Sequence, residues 1–402
     1  MSVVVTGLGV VAPNGLGVER YWSAILSGAS GIRPVRRFDP ARYPARLAGE
    51  VLDYVAEEQL SGRLLPQTDH MTRLALSAAD WAFADAGIEI TGDGFDVGVV
   101  TASSAGGFEF GQRELQNLWS KGSSYVSAYQ SFAWFYAVNT GQISIRRGLR
   151  GPGGVLVAED AGGLEAVAQG RRLVGRGTPV VVCGGVDGIV CPWGWAGHLA
   201  RGQLSDAVDP GAAYLPFDAR AGGYVPGEGG ALLILEDADH AARRGAARCY
   251  GEIAGYGATF DPEAADAGGL RRAIETAIAT ADADPGEIDV VFADAAASTP
   301  LDAAEARAIG EIFGPRGVPV TAPKTLTGRL GAGGAALDLA TALLSLRDNV
   351  VPPTPHVTPA PEHGIDLVVG AARPSALRAA LILARGHGGF NSAMVVRRPT
   401  HR

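Results

Sequence analysis

The chain has 402 residues, of which 47% are hydrophobic and 19% charged, with a formal net charge of −8. This is enough apolar material for a large core, in two domains or one duplicated α/β unit. The basic residues are scattered, which argues against nucleic-acid binding, and the apolar runs fall far short of the roughly 20 residues of a membrane helix. The three cysteines lack metal-ligand spacing and no secretory signal is visible, so we expect a cytoplasmic chain with reduced thiols and with neither metal nor cofactor.

The first half of the chain alternates β-prone apolar runs with segments of helical periodicity. The loop at 34–48, rich in Arg and Pro, is expected on the surface, and a Trp-rich loop holding Trp193 and Trp195 is expected after residue 183. The glycines of a GEGG run (227–230) are expected in a tight turn. The predicted elements are strands at 3–9, 96–101, 155–157, 180–183 and 231–236 and helices at 21–26, 74–86, 109–119 and 131–145.

The second half repeats this order of elements. Its predicted strands lie at 250–260, 288–292, 318–321, 379–384 and 392–397, and its helices at 270–279, 303–313 and about 334–346. The repetition predicts a duplicated α/β fold with one site between the halves, which we place at residues 1–245 and 246–402.

Asp160 lies at the most informative point of the sequence. It follows the strand at 155–157 and precedes an Ala- and Leu-rich helical segment, so a strand ends and a helix begins beside it. Backbone N–H groups and the helix dipole favour negative charge at such a place, which suits a nucleophile. A thiolate would suit this position, but the residue is a carboxylate.

Several motifs resemble those of the ketosynthases of the thiolase superfamily, and within them the chain length factors, the ketosynthase-beta subunits of bacterial type II aromatic polyketide synthases. The motifs are VVVTGLGVVAPNGLG at 3–17, GGFEFGQRELQNLW at 106–119, SFAWFYAVNTGQISIRRGLRGP at 131–152, PFDARAGGYVPGEGGALLILE at 216–236, APKTLTGRLGAGGAA at 322–336 and GHGGFNSAMVV at 386–396. The resemblance covers essentially the whole chain and implies a thiolase-like duplicated α/β fold with αβαβα layers.

The resemblance also shows what a condensing site would need and this chain lacks. Asp160 occupies the place of the family's nucleophilic Cys, while Ala295 and Arg329 occupy the places of its two catalytic His residues. Only Lys324 of that constellation is retained. Without the thiolate and imidazoles, independent condensation is not expected, and no residue is assigned a catalytic role.

Two interpretations of Asp160 stay open. In the first, it forms a buried salt bridge with Arg329, because a buried carboxylate needs a cationic partner. In the second, it takes part in malonyl decarboxylation during priming, a role linked in the family to a Gln at this position. An ionised carboxylate cannot donate a hydrogen bond, and it repels an enolate. Lys324 is expected to be a structural ion-pair residue, and His387 a solvated loop residue.

The family's chain-length-gating positions map onto Phe108, Gly111 and Leu115, with Phe132 as a weaker candidate. The resemblance implies that these residues line a tunnel at a subunit interface, although their i, i+3, i+7 spacing alone also fits an ordinary helix face. Gly111 and Leu115 are small for a gate, which favours a product longer than the shortest aromatic chains.

The resemblance therefore implies a non-condensing subunit of an acyltransferase-class synthase in antibiotic biosynthesis. Its expected partners are a Cys-bearing ketosynthase-alpha, with which it forms a heterodimer, and acyl carrier protein, which brings malonyl units to the growing poly-β-ketone chain. Two alternatives remain: a purely structural partner without length control, and a self-sufficient acyltransferase that uses Asp160 or Cys183 as nucleophile.

Overall fold

The computed structural model describes residues 2–90, 92–262 and 266–399, and most of its strands join one mixed sheet. The strands are β1 (Val3–Ala12), β2 (Gly15–Leu16), β3 (Ile32–Pro34), β4 (Leu47–Gly49), β5 (Val97–Ala102), β6 (Gly153–Leu156), β7 (Val180–Gly188), β8 (Glu228–Asp237), β9 (Gly251–Phe260), β10 (Val290–Phe292), β11 (Pro319–Thr321), β12 (Val350–Val351), β13 (Asp366–Leu367), β14 (Arg373–Pro374), β15 (Ala379–Gly386) and β16 (Phe390–Arg397).

Helices occupy both faces of this sheet. They are α1 (Val18–Leu26), α2 (Ala56–Gln59), α3 (His70–Ala86), α4 (Phe108–Lys121), α5 (Gln130–Ala133), α6 (Val138–Arg147), α7 (Gly162–Gly175), α8 (Pro192–Ala200), α9 (Ala238–Arg243), α10 (Gly268–Thr280), α11 (Thr299–Phe313) and α12 (Ala332–Asp348). Every helix in the described part of the chain is too short or too polar to span a membrane.

The strand order reads the same outward in both directions from the contact between β1 and β9. On one side β1, β8, β7, β5 and β6 follow one another, with two antiparallel pairings and then two parallel ones. On the other side β9, β16, β15, β10 and β11 follow with the same pairing directions. The order of elements that suggested duplication in the sequence thus has a counterpart in the sheet. The predicted boundary at 245/246 lies between α9 and β9. The last residues of the predicted second half, 400–402, lie outside the described ranges.

Alternating side chains of the strands divide the core into layers. Leu233 and Leu235 of β8 pack with α7 and α12, whereas Leu232 and Ile234 pack on the opposite face with α3. In the other half, β15 packs alternate residues against α12 and against α10 and α11. Because neighbouring strand residues point to opposite faces, both sheet halves are buried on both sides. The result is the predicted αβαβα arrangement, with α7 and α12 in the middle.

Three local predictions were wrong. The helix expected at 131–145 is interrupted between α5 and α6. At this break the backbone of Trp134 packs directly on Gly106, where an added Cβ would lie 2.4 Å from the carbonyl oxygen of Trp134. The Trp-rich segment is helix α8 rather than a loop. The glycines of the GEGG run reach into β8, and Gly230, with φ of +146°, lets α12 pass close to the strand.

Candidate functional site

Asp160 stands where the sequence placed it, between a strand and a helix. A short 3-10 turn, Glu159–Ala161, joins β6 to α7, and Glu159 adopts a left-handed φ of +51°. Non-glycine residues adopt this conformation rarely and mostly where the surrounding structure requires it. The Asp160 side chain is 16% exposed, so it faces the interior of the fold.

Arg329 lies opposite Asp160 and forms the expected ion pair. Its Nη2 is 3.2 Å from Asp160 Oδ2, and its guanidinium is only 9% exposed. The same guanidinium makes a closer, two-pronged contact with Asp294, at 2.9 Å and 3.2 Å. Sequence analysis missed Asp294, although it directly precedes Ala295; an acid beside the site of a lost imidazole was the available signal.

The charges of this cluster reinforce one another. Burial raises the pKa of Asp294, but Arg329 and Lys324 outweigh burial and hold that pKa below its usual range. Burial lowers the pKa of Arg329, but Asp160 and Asp294 outweigh burial and keep it well above its usual value. Asp294 and Arg329 therefore stabilise each other's charged forms.

Lys324 forms an ion pair. Its Nζ lies 2.7 Å from Asp338 Oδ2 on α12 and donates to the carbonyl oxygen of Asp294 at 3.0 Å. Ala295 is fully buried with φ of +52°, and its carbonyl accepts a hydrogen bond from Tyr214. A methyl group can neither accept a proton nor stabilise an enolate, so this position supplies packing only.

Burial disfavours the charged forms of two further candidates, Cys183 and His198. Cys183 is fully buried in β7, where burial raises the pKa of its thiol. His198 is buried on α8, hydrogen-bonded to Tyr224, and burial lowers its pKa to about 4. His387 is exposed in the turn between β15 and β16, as expected. Among the described residues, no group of three or more His, Cys, Asp or Glu side chains is arranged to hold a metal.

A cavity of about 260 Å³ adjoins the cluster. Asp160, Arg201, Tyr224 and Asn391 are among its lining residues. Arg201 is itself paired with Glu159. The charged residues Asp160, Arg201 and Arg329 in its lining are already paired, and its lining residues are not those of the predicted tunnel.

The predicted tunnel residues meet on a different part of the surface. Phe108 of α4 stacks on Trp193 of α8, with ring centroids 4.4 Å apart. A Cβ at Gly111 would lie 3.2 Å from Trp193, and Leu115 lines an open groove together with Trp193 and Trp119. Phe132 of α5 does not line this groove; its ring contacts that of Tyr129, just before α5, with centroids 5.8 Å apart.

The groove lies within a broad exposed apolar face. Trp119, which lines the groove, is 81% exposed, which is unusual for a side chain of this size. Trp134, Phe135 and Tyr136 add three more partly exposed rings in the turn between α5 and α6. Beside them, β6 forms the edge of the sheet. The sequence predicted a single apolar helix at 131–145, whereas the structure breaks it with a turn whose aromatic side chains are exposed.

The sequence of the chain matches two family models that together cover most of its length. The family model described as the beta-ketoacyl synthase N-terminal domain matches residues 1–241, and that of the C-terminal domain matches residues 250–358. The tetracenomycin polyketide synthase ketoacyl synthase beta subunit of Streptomyces glaucescens is 60% identical over 98% of both chains. The actinorhodin polyketide putative beta-ketoacyl synthase 2 of Streptomyces coelicolor is 59% identical over 99% of both.

Two solved structures share the whole fold. The ishigamide ketosynthase/chain length factor has a TM-score of 0.91 at 26% identity and covers 99% of both chains. A type II polyketide synthase acyl-carrier protein in complex with its ketosynthase bound to the hexaketide, AntDE:AntF, has a TM-score of 0.89 at 27% identity and the same coverage. The chain thus belongs to the beta-ketoacyl synthase family and, within it, to the ketosynthase-beta subunits, or chain length factors, of type II polyketide synthases.

Proposed function

We propose that this chain is the non-condensing chain length factor of a cytoplasmic type II polyketide synthase. It pairs with a Cys-bearing ketosynthase-alpha, which carries the growing poly-β-ketone and condenses it with malonyl units from acyl carrier protein. The observation that supports this most strongly is the pairing of Asp160 with Arg329 at the place of the family's reactive Cys and His.

The chemistry of condensation explains why the partner must supply the nucleophile. Thioester exchange needs a thiolate, and decarboxylation of malonyl needs groups that stabilise the developing enolate. Asp160 accepts hydrogen bonds but cannot donate one while ionised, and its nearest cation, Arg329, is bound to Asp294 as well. This pairing also weighs against a direct part for Asp160 in priming.

The groove on α4 supports a role in setting product length. Gly111 lets α4 pack closely against Trp193, where an added Cβ would lie 3.2 Å from the ring, and Leu115 is 36% exposed at the groove. In a heterodimer, the partner covers this face and turns the open groove into a tunnel wall. A small residue at 111 and an aliphatic one at 115 leave room for a long chain.

The first experiment is a native mass spectrum of this chain co-expressed with its ketosynthase-alpha, before and after malonyl acyl carrier protein is added. The proposal predicts a one-to-one heterodimer in which acyl mass appears only on the partner. Acyl mass on this chain, in a self-sufficient homodimer, would instead support the acyltransferase alternative.

Tunnel control is tested separately from assembly. Gly111→Thr places side-chain atoms against Trp193, and Leu115→Phe fills the groove, so both are expected to shorten the poly-β-ketone made by the complex. Gly310→Thr is a matched control, because a Cβ at this helical glycine of α11 meets no atom within 4 Å. If stability changed but product length did not, the purely structural alternative would stand.

A further inference from the structure

Residues 33–46 form a second surface feature, which we call the arginine strap. It begins within β3 and ends just before β4. It carries Arg33, Arg36, Arg37, Arg42 and Arg46, five of the chain's 34 basic residues, and only one acidic residue, Asp39. The chain as a whole has a net charge of −8. The strap is therefore a local reversal of the protein's overall charge.

Most of this positive charge is uncompensated. Arg36, Arg42 and Arg46 are exposed, and within the described ranges none of them forms an ion pair. Arg46 donates only to backbone carbonyls, those of Tyr43 and Ala41. Elsewhere in the molecule many arginines are paired with carboxylates, as Arg146 and Arg147 are with Asp80.

The strap is nevertheless held in a fixed position. Val35 and Ala45 are buried, and Phe38 packs edge-on against Trp195 with ring centroids 5.6 Å apart. Trp195 also donates from Nε1 to the carbonyl oxygen of Ala45 at 3.2 Å. Because its backbone is already ordered, the strap can bind a partner at a small cost in conformational entropy.

The strap adjoins the helices that form the groove. Trp195, which anchors it, lies two residues from Trp193 on α8. Arg37, next to Phe38 in the strap, bridges Glu109 in the first turn of α4 at 3.1 Å and the fully buried Glu228 at 2.7 Å. A molecule bound to the strap would sit beside the helix that carries Phe108, Gly111 and Leu115.

We propose that the arginine strap is a docking surface on this subunit for an acidic face of acyl carrier protein. The proposal rests on the function proposed above, which brings carrier protein to this heterodimer. Separately spaced arginines suit carboxylates on a protein surface. A nucleic acid or an anionic membrane is less favoured, because the chain's net negative charge repels an extended polyanion.

The test uses the heterodimer with its ketosynthase-alpha and fluorescently labelled acyl carrier protein. The double variant Arg36→Glu/Arg42→Glu reverses two charges whose side chains make no hydrogen bond or ion pair among the described residues. The dissociation constant for carrier protein is expected to rise about tenfold at low salt, and the difference is expected to shrink as salt screens the charges. Product length is expected to stay unchanged.

A matched control reverses two other exposed arginines, which form no ion pair within the part of the chain that the structure describes. Arg176→Glu/Arg243→Glu changes the charge equally near the junction where Val180 of β7 pairs with Glu236 of β8. The strap contacts the opposite end of β8, at Glu228, roughly 27 Å away along the strand. This control is expected to alter the dissociation constant less than twofold.

Three results would overturn the proposal. One is an equal loss of affinity in both double variants, which would indicate a long-range charge effect. Another is unchanged carrier affinity together with weaker binding to DNA or anionic vesicles, which would assign the strap to a polyanion. The third is failure of the strap variant to form the heterodimer, which would make the strap part of the subunit interface. Synthesis by the wild-type complex tests the proposed function independently.

Discussion

The cluster around Arg329 and the face around α4 differ in the burial and pairing of their side chains. In the cluster, Asp160, Asp294 and Arg329 are buried and satisfy one another. On the α4 face, Trp119 and its aromatic neighbours are exposed and lie against solvent. The first region is complete within one chain, whereas the second needs a partner to remove its apolar surface from water.

This difference indicates how a condensing fold becomes a partner subunit. The reactive residues are replaced by ions that pair internally, so the layered core persists without a catalytic site. The interface and the groove keep their exposed apolar character, because their role depends on what covers them. In this subunit the proposed function therefore depends on the exposed face and not on the buried cluster. The predictions below test each region in turn.

The largest effect is expected from Arg329→Met. It leaves Asp160 and Asp294 buried without their shared cation, which should lower the free energy of unfolding by about 3–5 kcal/mol. Denaturant unfolding of the purified chain measures this. The control Arg378→Met removes an exposed partner of Asp289 and is expected to cost at most about 1 kcal/mol. Equal losses in the two variants would contradict the assignment of a buried structural cluster.

Trp119→Ala is expected to weaken the heterodimer without destabilising the isolated chain. Trp119 is 81% exposed, so its truncation removes little packing, whereas loss of an aromatic interface anchor typically costs about 2–4 kcal/mol of binding. The heterodimer dissociation constant should therefore rise about 30-fold or more. Phe260→Ala, 57% exposed in the second half, is the control. An unchanged dissociation constant for Trp119→Ala would place the interface elsewhere.

The anchoring of the groove helix is expected to depend on pH. Asp69 caps α3 and accepts a hydrogen bond from the Phe110 N–H of α4 at 2.7 Å. Burial raises the pKa of Asp69 from 3.8 to about 6, although the Phe110 and Met71 N–H groups oppose this. Because its protonated form is favoured in the folded state, its contribution to stability is full below pH 3.8 and is lost as the pH rises through about 6.

Comparison with Asp69→Asn isolates this contribution. The stability of the wild-type chain relative to the variant should fall by about 2 kcal/mol between pH 4 and pH 7. Denaturant unfolding across that range measures the difference. A difference that stays flat with pH would show that Asp69 titrates normally.

The smallest effect is expected from Asp160→Asn. The amide oxygen can still accept from Arg329, which retains its two-pronged contact with Asp294, so the cost should be about 1 kcal/mol. Thermal unfolding of the complex and its rate of synthesis are the measurements. A large loss of rate with little loss of stability would return Asp160 to a direct role in priming.

Periodicity predicted most strands and helices and their repeated order, because it is a local property of the sequence. The family resemblance implied the layered arrangement and the Asp160–Arg329 pair. The sequence did not predict Asp294 as the closer partner of Arg329, since contacts over 35 residues depend on packing. It also predicted one continuous helix at 131–145 and did not predict the exposed aromatic turn within it. Apolar composition alone cannot distinguish a core from an interface that awaits its partner.

The most direct test of the account is the length of the poly-β-ketone made by two otherwise identical heterodimers, one with Asp160→Asn and one with Leu115→Phe, measured by mass spectrometry. We expect Asp160→Asn to leave the length distribution of the wild-type complex unchanged and Leu115→Phe to shift it to shorter chains. The reverse outcome, altered products from Asp160→Asn and unchanged products from Leu115→Phe, would contradict the assignment of structure to the buried cluster and of length control to the groove.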